Sequence, residues 1–171
     1  MTSGIGTFHP LQRSASAMSV VLNPLSVQLD TPEWTLFLDM NFKYMSENWP
    51  NRIKDKVGYE KTLRDRYLQG GRGLFLYYNQ KQAMGLSNVY ITKENQIKTL
   101  NIAEFYVEPS YRKKGLASKM KDHLIQWGQE QSATELKIEV DKDLETANAF
   151  WSKFGFKLDD SGSRNVYSTN I

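Results

Sequence analysis

Residues 97–140 constrain the fold most. The run "IKTLNIAEFYVEP" is a long strand-like segment closed by Pro109, which cannot donate a ladder hydrogen bond. From Lys113 the period changes: Leu116, Met120, Leu124 and Trp127 recur three and four apart, the spacing of one buried helical stripe. "ATELKIEVD" then alternates Leu136, Ile138 and Val140, as a half-buried strand does. Strand, helix and strand in that order form a crossover, and a crossover makes its two strands parallel.

The segments before and after are of other kinds. "SVVLNPLSVQL" has short strand character. "TPEWTLFLDMNFKYMSENW" offers Thr31 as a cap and Pro32 at the first helical position, with Trp34, Leu38, Met45 and Trp49 on one apolar face. "RIKDKVGYEKTLRDRYLQ" continues as a second helix stopped by Gly70 and Gly71. "GLFLYYN", a polar "QKQ" and "AMGLSNVYIT" make a hairpin, and "KENQ" turns into the long strand. "LETANAFWSKFG" is a short helix, with "FKLDD" and "NVYSTNI" as closing strands. The order β-α-α-β-β-β-α-β-α-β-β predicts an α/β (α+β) domain. Its central sheet is mixed, antiparallel early and parallel at the crossover, flanked by about four helices.

At 171 residues, 40% hydrophobic and 24% charged, the chain suits one globular domain with a real core. No composition break divides residues 18–171. The segment 1–17, rich in Gly, Ser and Thr, lacks the apolar centre of a secretory signal. It is expected to be a disordered leader or vector-derived sequence, with Met18 a native start. No apolar run approaches the ~20 residues that span a bilayer, so the default address is the cytoplasm. There is no cysteine, which excludes disulfides, thiolate metal sites and a cysteine nucleophile. No His, Asp or Glu spacing resembles a metal site, so no metal is expected. His9 falls in the leader, and His123 reads as a packing or surface residue beside the helical stripe.

Chemistry concentrates at "YRKKGLA", Tyr111 to Ala117. Arg112, Lys113 and Lys114 precede a helix N-terminus that already carries about half a positive charge. The first N–H groups of a helix lack internal partners, and Gly115 lets a ligand approach the backbone. This is an anion site with phosphate as the common guest; the other reading is a solvated basic loop tip. Neither G-x-x-x-x-G-K-[ST] nor G-x-G-x-x-G occurs.

"YRKKGLA" resembles the Q/R-x-x-G-x-G/A pyrophosphate loop of the GNAT N-acetyltransferase superfamily, with Arg112, Gly115 and Ala117 in the defining places. "IAEFYVEPSYRKKGLASKM" is similar to the family's strand-loop-helix unit, and "FWSKFGF" to its closing signature F-Y-x-K-x-G-F. The resemblance covers roughly the last two-thirds of the chain and implies a single GNAT-like domain. It implies acetyl-CoA as the donor co-substrate. The pyrophosphate would lie on the amides of Arg112, Lys113, Lys114, Gly115, Leu116 and Ala117, with Ser118 next. The pantetheine arm would pair with the backbone of Phe105, Tyr106 and Val107, like an added strand in the splay beside Ala133–Val140. Lys113 or Lys114 would reach the ribose phosphate.

Two positions depart from the pattern. Leu144 stands where the family often has an asparagine that contacts the CoA arm; Asn148, on the same helical face, is the candidate substitute, with a plain surface residue as the preferred competing reading. Trp151 stands in the place of the tyrosine acid, and an indole N–H is no usable acid. Tyr167, Tyr106 and Tyr111 are other hydroxyls that could serve. Glu104 is the carboxylate nearest the expected thioester and the candidate general base. Strand alternation would put it on one face with Ile102 and Tyr106; a purely structural carboxylate is the competing reading.

The expected reaction is acetyl transfer from acetyl-CoA to a primary amine, by direct attack in a ternary complex. The alternative is a non-catalytic acyl-CoA-binding domain of the same fold. The acceptor is a small-molecule or peptide amine, with a homodimer as a possible assembly and no membrane partner. Nucleic acid is not expected, because Glu104, Glu108 and Asp122 flank the basic run. Trp34, Trp49, Tyr59, Tyr67, Tyr77, Tyr78 and Tyr90 are candidate wall residues for the acceptor. For Trp34 and Trp49 core is the better reading.

Overall fold

A computed structural model describes residues 21–51 and 55–171; the leader and His9 lie outside the described residues. The expected element order is present: β1 (Asn23–Ser26), α1 (Pro32–Asn48), α2 (Lys56–Leu68), β2 (Arg72–Asn79), β3 (Gln82–Glu94), β4 (Ile97–Val107), α3 (Leu116–Glu130), β5 (Glu135–Asp141), α4 (Glu145–Ser152), β6 (Lys157–Asp159) and β7 (Arg164–Asn170). A short 3-10 turn, Pro109–Tyr111, joins β4 to the basic loop. The strands form one sheet in the order β1-β2-β3-β4-β5-β7-β6. β4 and β5 are parallel, as the α3 crossover requires, and the other neighbours are antiparallel.

Thr31 starts α1 as expected, its hydroxyl accepting from the Trp34 N–H at 3.2 Å, a cap worth about 1 kcal/mol. Strand alternation sends Leu74 and Leu76 toward α1 and α2, where they join Trp34, Phe37, Leu38 and Leu63. Phe75 and Tyr77 go to the opposite face, with Leu116, Met120 and Leu124 of α3 and with Trp151 of α4. Each face of the sheet therefore has its own apolar core. His123 packs edge-on against Phe75 and Tyr77, and burial holds its pKa below the usual value.

Three local expectations change. α3 begins at Leu116 and not at Lys113, because Lys113 (φ 60°) and Gly115 (φ 77°) are left-handed. The fourth buried stripe position is Gly128 instead of Trp127; a Cβ on Gly128 would meet Leu100 Cδ2 at 2.9 Å and Ile171 Cδ1 at 3.1 Å, so a larger residue makes those side-chain ends move. Trp49 leaves the core: it is the C-cap of α1, and its indole donates to Asp141 Oδ2 at 2.8 Å.

The feature that positions the site is a bulge in β4. Asn88 of β3 pairs with Glu104, and Val89 with Ile102, leaving Ala103 unpaired. An extra residue bends a strand and increases its twist. Pairing of β4 with β5 stops at Ile102 and Ile138, although β4 runs on to Val107 and β5 to Asp141. Past the bulge the two parallel strands splay.

Candidate active site

A groove of about 720 Å³ opens from the splay, lined by Phe105, Val107, Gly115, Leu116, Leu144 and Trp151 among others. The Glu108 N–H bonds to Met84 O at 2.8 Å, so the alternation of an antiparallel ladder turns the backbones of Tyr106 and Glu104 toward β3. The backbones of Phe105 and Val107 face the splay instead. Of the three backbones expected to meet the donor arm, Tyr106 is thus turned away. Its ring lies in the α1–α2 core and its hydroxyl donates to Glu47 Oε1 at 2.8 Å.

The basic loop closes one end of the groove. No side chain among the described residues caps α3, so the first-turn N–H groups from Leu116 onward lack internal partners. A Cβ on Gly115 would find nothing within 4 Å, which leaves the approach to those amides open. The cations do not act alike. Arg112 turns inward, donating from Nε to Val107 O at 2.8 Å and from Nη2 to Glu47 Oε2 at 3.0 Å. It anchors the loop to β4 and α1 through its side chain. Lys114 turns away from the groove onto Ser110 O, at 2.8 Å. Lys113 borders the groove.

α4 closes the other end. It starts at Leu144 without a side-chain cap. Trp151, 2% exposed, lies on the floor with Phe105 and Phe150 at ring separations of 5.2 and 4.8 Å. Asn148 is neither a surface residue nor a free donor. Its Nδ2 donates to Asp141 O at 2.9 Å and Leu144 O at 3.0 Å, while Oδ1 accepts from Asn165 Nδ2 at 2.8 Å and Tyr167 Oη at 3.0 Å. These bonds use the four hydrogen-bonding places of a side-chain amide, so Asn148 ties α4 to β5 and β7. They also commit the Tyr167 hydroxyl. Tyr111 remains at the groove wall. Asn148→Ala should therefore lower stability by about 2–4 kcal/mol, or roughly 5–12 °C in Tm, and leave donor KM unchanged. A raised donor KM at unchanged Tm would return Asn148 to the binding groove.

Glu104 faces α2 with Tyr106 and not with Ile102, because the Ala103 bulge reverses the alternation; Ile102 lies in the α3 core. Tyr59 Oη donates to Glu104 Oε1 at 3.2 Å, and Asn88 Nδ2 donates to Oε2. Behind Tyr59, Asn41 Nδ2 donates to its hydroxyl at 2.6 Å. The Asn41 Oδ1 is buried without a partner among the described residues, a desolvation cost of about 1–3 kcal/mol. Behind Asn88, Arg72 Nη1 donates to Oδ1 at 2.5 Å. Burial pushes the Glu104 carboxyl above its usual range, while the Asn88 and Tyr59 bonds and the Arg72 and Arg66 charges pull it part of the way back. Tyr44, which lines the groove, has its hydroxyl pKa raised by burial first and then by the charges of Glu104 and Asp141. Tyr44 packs against Tyr106 on the same face of the sheet as Glu104, so the charge of Glu104 is felt at the groove wall.

Tyr59 stood only among the candidate wall residues; Asn41, Asn88 and Arg72 carried no expectation at all. One signal was present: Ser87 and Asn88 are polar residues inside an otherwise apolar strand, and both are buried. Among the described residues no group of His, Cys, Asp and Glu could hold a metal ion, and no helix is long and apolar enough to cross a membrane.

A splayed parallel pair, a strand bulge and an open helix N-terminus thus meet on one groove. The model of the acetyltransferase (GNAT) family matches residues 34–156, and the chain belongs to that family. No curated protein sequence matches it significantly. Its fold is similar to that of an acetyltransferase of the GNAT family from Staphylococcus aureus Mu50, with TM-score 0.71 and 16% identity over 88% of this chain and 99% of that one. It is also similar to a predicted acetyltransferase from Clostridium acetobutylicum solved with acetyl-CoA (TM-score 0.69, 14% identity, 83% and 94% covered). A third is the PaiA N-acetyltransferase of Thermoplasma acidophilum in complex with coenzyme A (TM-score 0.67, 11% identity, 88% and 99% covered). Membership of the family supports acyl transfer as the class of reaction.

Proposed function

We propose that the protein is an N-acetyltransferase that moves the acetyl group of acetyl-CoA to a primary amine by direct attack in a ternary complex. The observation that carries this reading is the groove: β4 backbone without a β5 partner at one part, its Val107 carbonyl already accepting from Arg112, and uncapped α3 amides with an open Gly115 at another, with Glu104 across the strand. The residues fit the donor. The amides of Gly115 to Ser118 would hold its pyrophosphate, Lys113 would face its outer phosphate, and the backbones of Phe105 and Val107 would pair with its arm. When bound, acetyl-CoA supplies an activated thioester.

The residues around it do the remaining work. The Val107 N–H, on the splay side of β4, would polarise the thioester carbonyl. Glu104 takes a proton from the ammonium form of the acceptor, directly or through water, giving the nitrogen its lone pair. That nitrogen bonds to the carbonyl carbon as the C–S bond breaks; sulfur leaves as thiolate and takes up, directly or through water, the proton that the acylated nitrogen sheds, giving the amide and a free thiol. A thiol pKa of ~8.5 makes this departure feasible near neutral pH, so the indole of Trp151 need not supply an acid.

Acetyl-CoA at 100 times its Kd should stabilise the fold by roughly 2.7 kcal/mol, and thiol release should follow on addition of a suitable amine from a library. Absence of a shift would overturn the donor assignment. Trp151 and Leu144, in place of the family's hydroxyl and amide, favour a second reading as a non-catalytic acyl-CoA-binding domain. A shift with no turnover on any amine would establish it.

A further inference from the structure

A second cavity, of about 780 Å³, lies between α2 and the sheet and reaches Glu104 from the side opposite the donor groove; Tyr59, Arg66, Arg72, Asn88 and Tyr90 are among its lining. Its charges are arranged unequally. Two carboxylates line it, Asp55 and Glu104. Asp55 is committed as the N-cap of α2, its Oδ1 accepting from the Gly58 N–H at 2.8 Å. Glu104 accepts from Tyr59 and Asn88, one donor on each oxygen, which leaves each oxygen a second lone pair for a ligand amine.

Neither cation makes a direct ion pair among the described residues; the acid whose charge they face is Glu104, which Arg72 reaches through the Asn88 amide. Arg72 is partly buried, donates to Asn88 Oδ1 at 2.5 Å and lies over the Tyr90 ring, 4.9 Å from its centroid. The C-terminal dipole of α2 accounts for a basic residue at Arg66, but it does not account for Arg72, which opens a strand. A guanidinium clamped by one side of its fork keeps other N–H donors free, and that fork matches the paired oxygens of a carboxylate or phosphate. One Asn88 amide joins the two halves, accepting from Arg72 and donating to Glu104.

We infer that this cavity is the acceptor site, and that its substrate is a small amine that also carries an acid group. The ammonium goes to Glu104 and the carboxylate or phosphate to Arg72 and Arg66. This rests on the N-acetyltransferase reading and adds a substrate class to it. A polycationic amine is disfavoured, because two guanidinium groups repel it along the path to Glu104.

The test is a matched panel with saturating acetyl-CoA: L-amino acids against their amides, O-phosphoethanolamine against ethanolamine, and spermidine. Thiol release gives kcat/KM, and calorimetry in the presence of CoA gives acceptor binding without turnover. Acid-bearing members should exceed their neutral partners by 10-fold or more, the two acid arms showing whether carboxylate or phosphate is preferred. In Arg66→Gln, exposed at the cavity mouth, the acid preference should fall by at least 3-fold while donor KM is unchanged; Arg72→Lys should abolish most of it. Neutral amines or spermidine matching the acid-bearing compounds would overturn the inference and leave N-acetyl transfer standing. Arg66-dependent binding of acid-bearing amines without any turnover would support the cavity assignment and overturn the catalytic reading. If no acid-bearing amine either binds or reacts, the inference fails.

Discussion

Glu104→Gln should lower kcat/KM by about 10²- to 10³-fold, within the range of a lost general base, with acetyl-CoA affinity unchanged. Wild-type activity should rise with pH along a limb set above the ordinary carboxylate range, because burial holds the Glu104 pKa up and only the ionised form accepts a proton. In the variant that limb should be absent. Stability should move the other way. A carboxyl whose folded pKa is raised contributes its full stability below the unfolded value of ~4.3 and loses it as pH climbs through the folded value. Ionised Glu104 thus works against the fold at neutral pH, and Gln should match or exceed wild-type Tm at pH 8, with the difference closing near pH 4. The surroundings can accept the amide. Its Oε1 can receive the Asn88 donor, and its Nε2 can donate to the Tyr59 oxygen. Equal kcat/KM at every pH would make Glu104 a structural carboxylate.

The parts of this fold that were legible in sequence are those written in local periods. The α3 stripe, the alternation of β5 and the caps and glycines that bound the helices need only near neighbours, and the structure keeps each within a few residues. The basic loop was legible as a motif for the same reason, since Arg112, Gly115 and Ala117 fall within six residues. What was not legible depends on register. Nothing in "IAEF" marks Ala103 as a bulge, because it carries no glycine or proline. Yet that one unpaired residue sends Glu104 to the α2 side and opens the splay. Asn148 is similar: its four partners come from β5, α4 and β7, which no single-helix reading could assemble. The same holds for Arg112, whose side chain crosses to Glu47 on α1. The second cavity is drawn from α2, β2, β3 and β4, so its residue types become informative only after the sheet has brought them together.

Gly115→Ala should raise the Kd of acetyl-CoA about 30-fold while leaving the fold intact. The effects on fold and ligand separate at this position. Gly115 has φ of 77°, where an L-residue costs roughly 1–2 kcal/mol, so some loss of Tm in the free protein is expected from backbone strain alone. The new Cβ meets no protein atom within 4 Å, and no packing loss adds to it. That open space is the approach to the uncapped α3 amides, where the methyl group would keep a pyrophosphate from close contact and strain would shift the amides from their aligned positions. At a concentration 100 times the wild-type Kd, the donor stabilises wild type by roughly 2.7 kcal/mol. A 30-fold weaker site is then at about three times its own Kd, leaving RT ln 4, or about 0.8 kcal/mol. Thermal shifts with and without acetyl-CoA read both quantities in one pair of melts. Saturating acetyl-CoA should recover most of kcat, because the acceptor cavity and Glu104 lie on the other side of β4. A variant with wild-type ligand shift, losing only the intrinsic 1–2 kcal/mol, would mean that the glycine serves the turn alone and that the phosphates lie elsewhere.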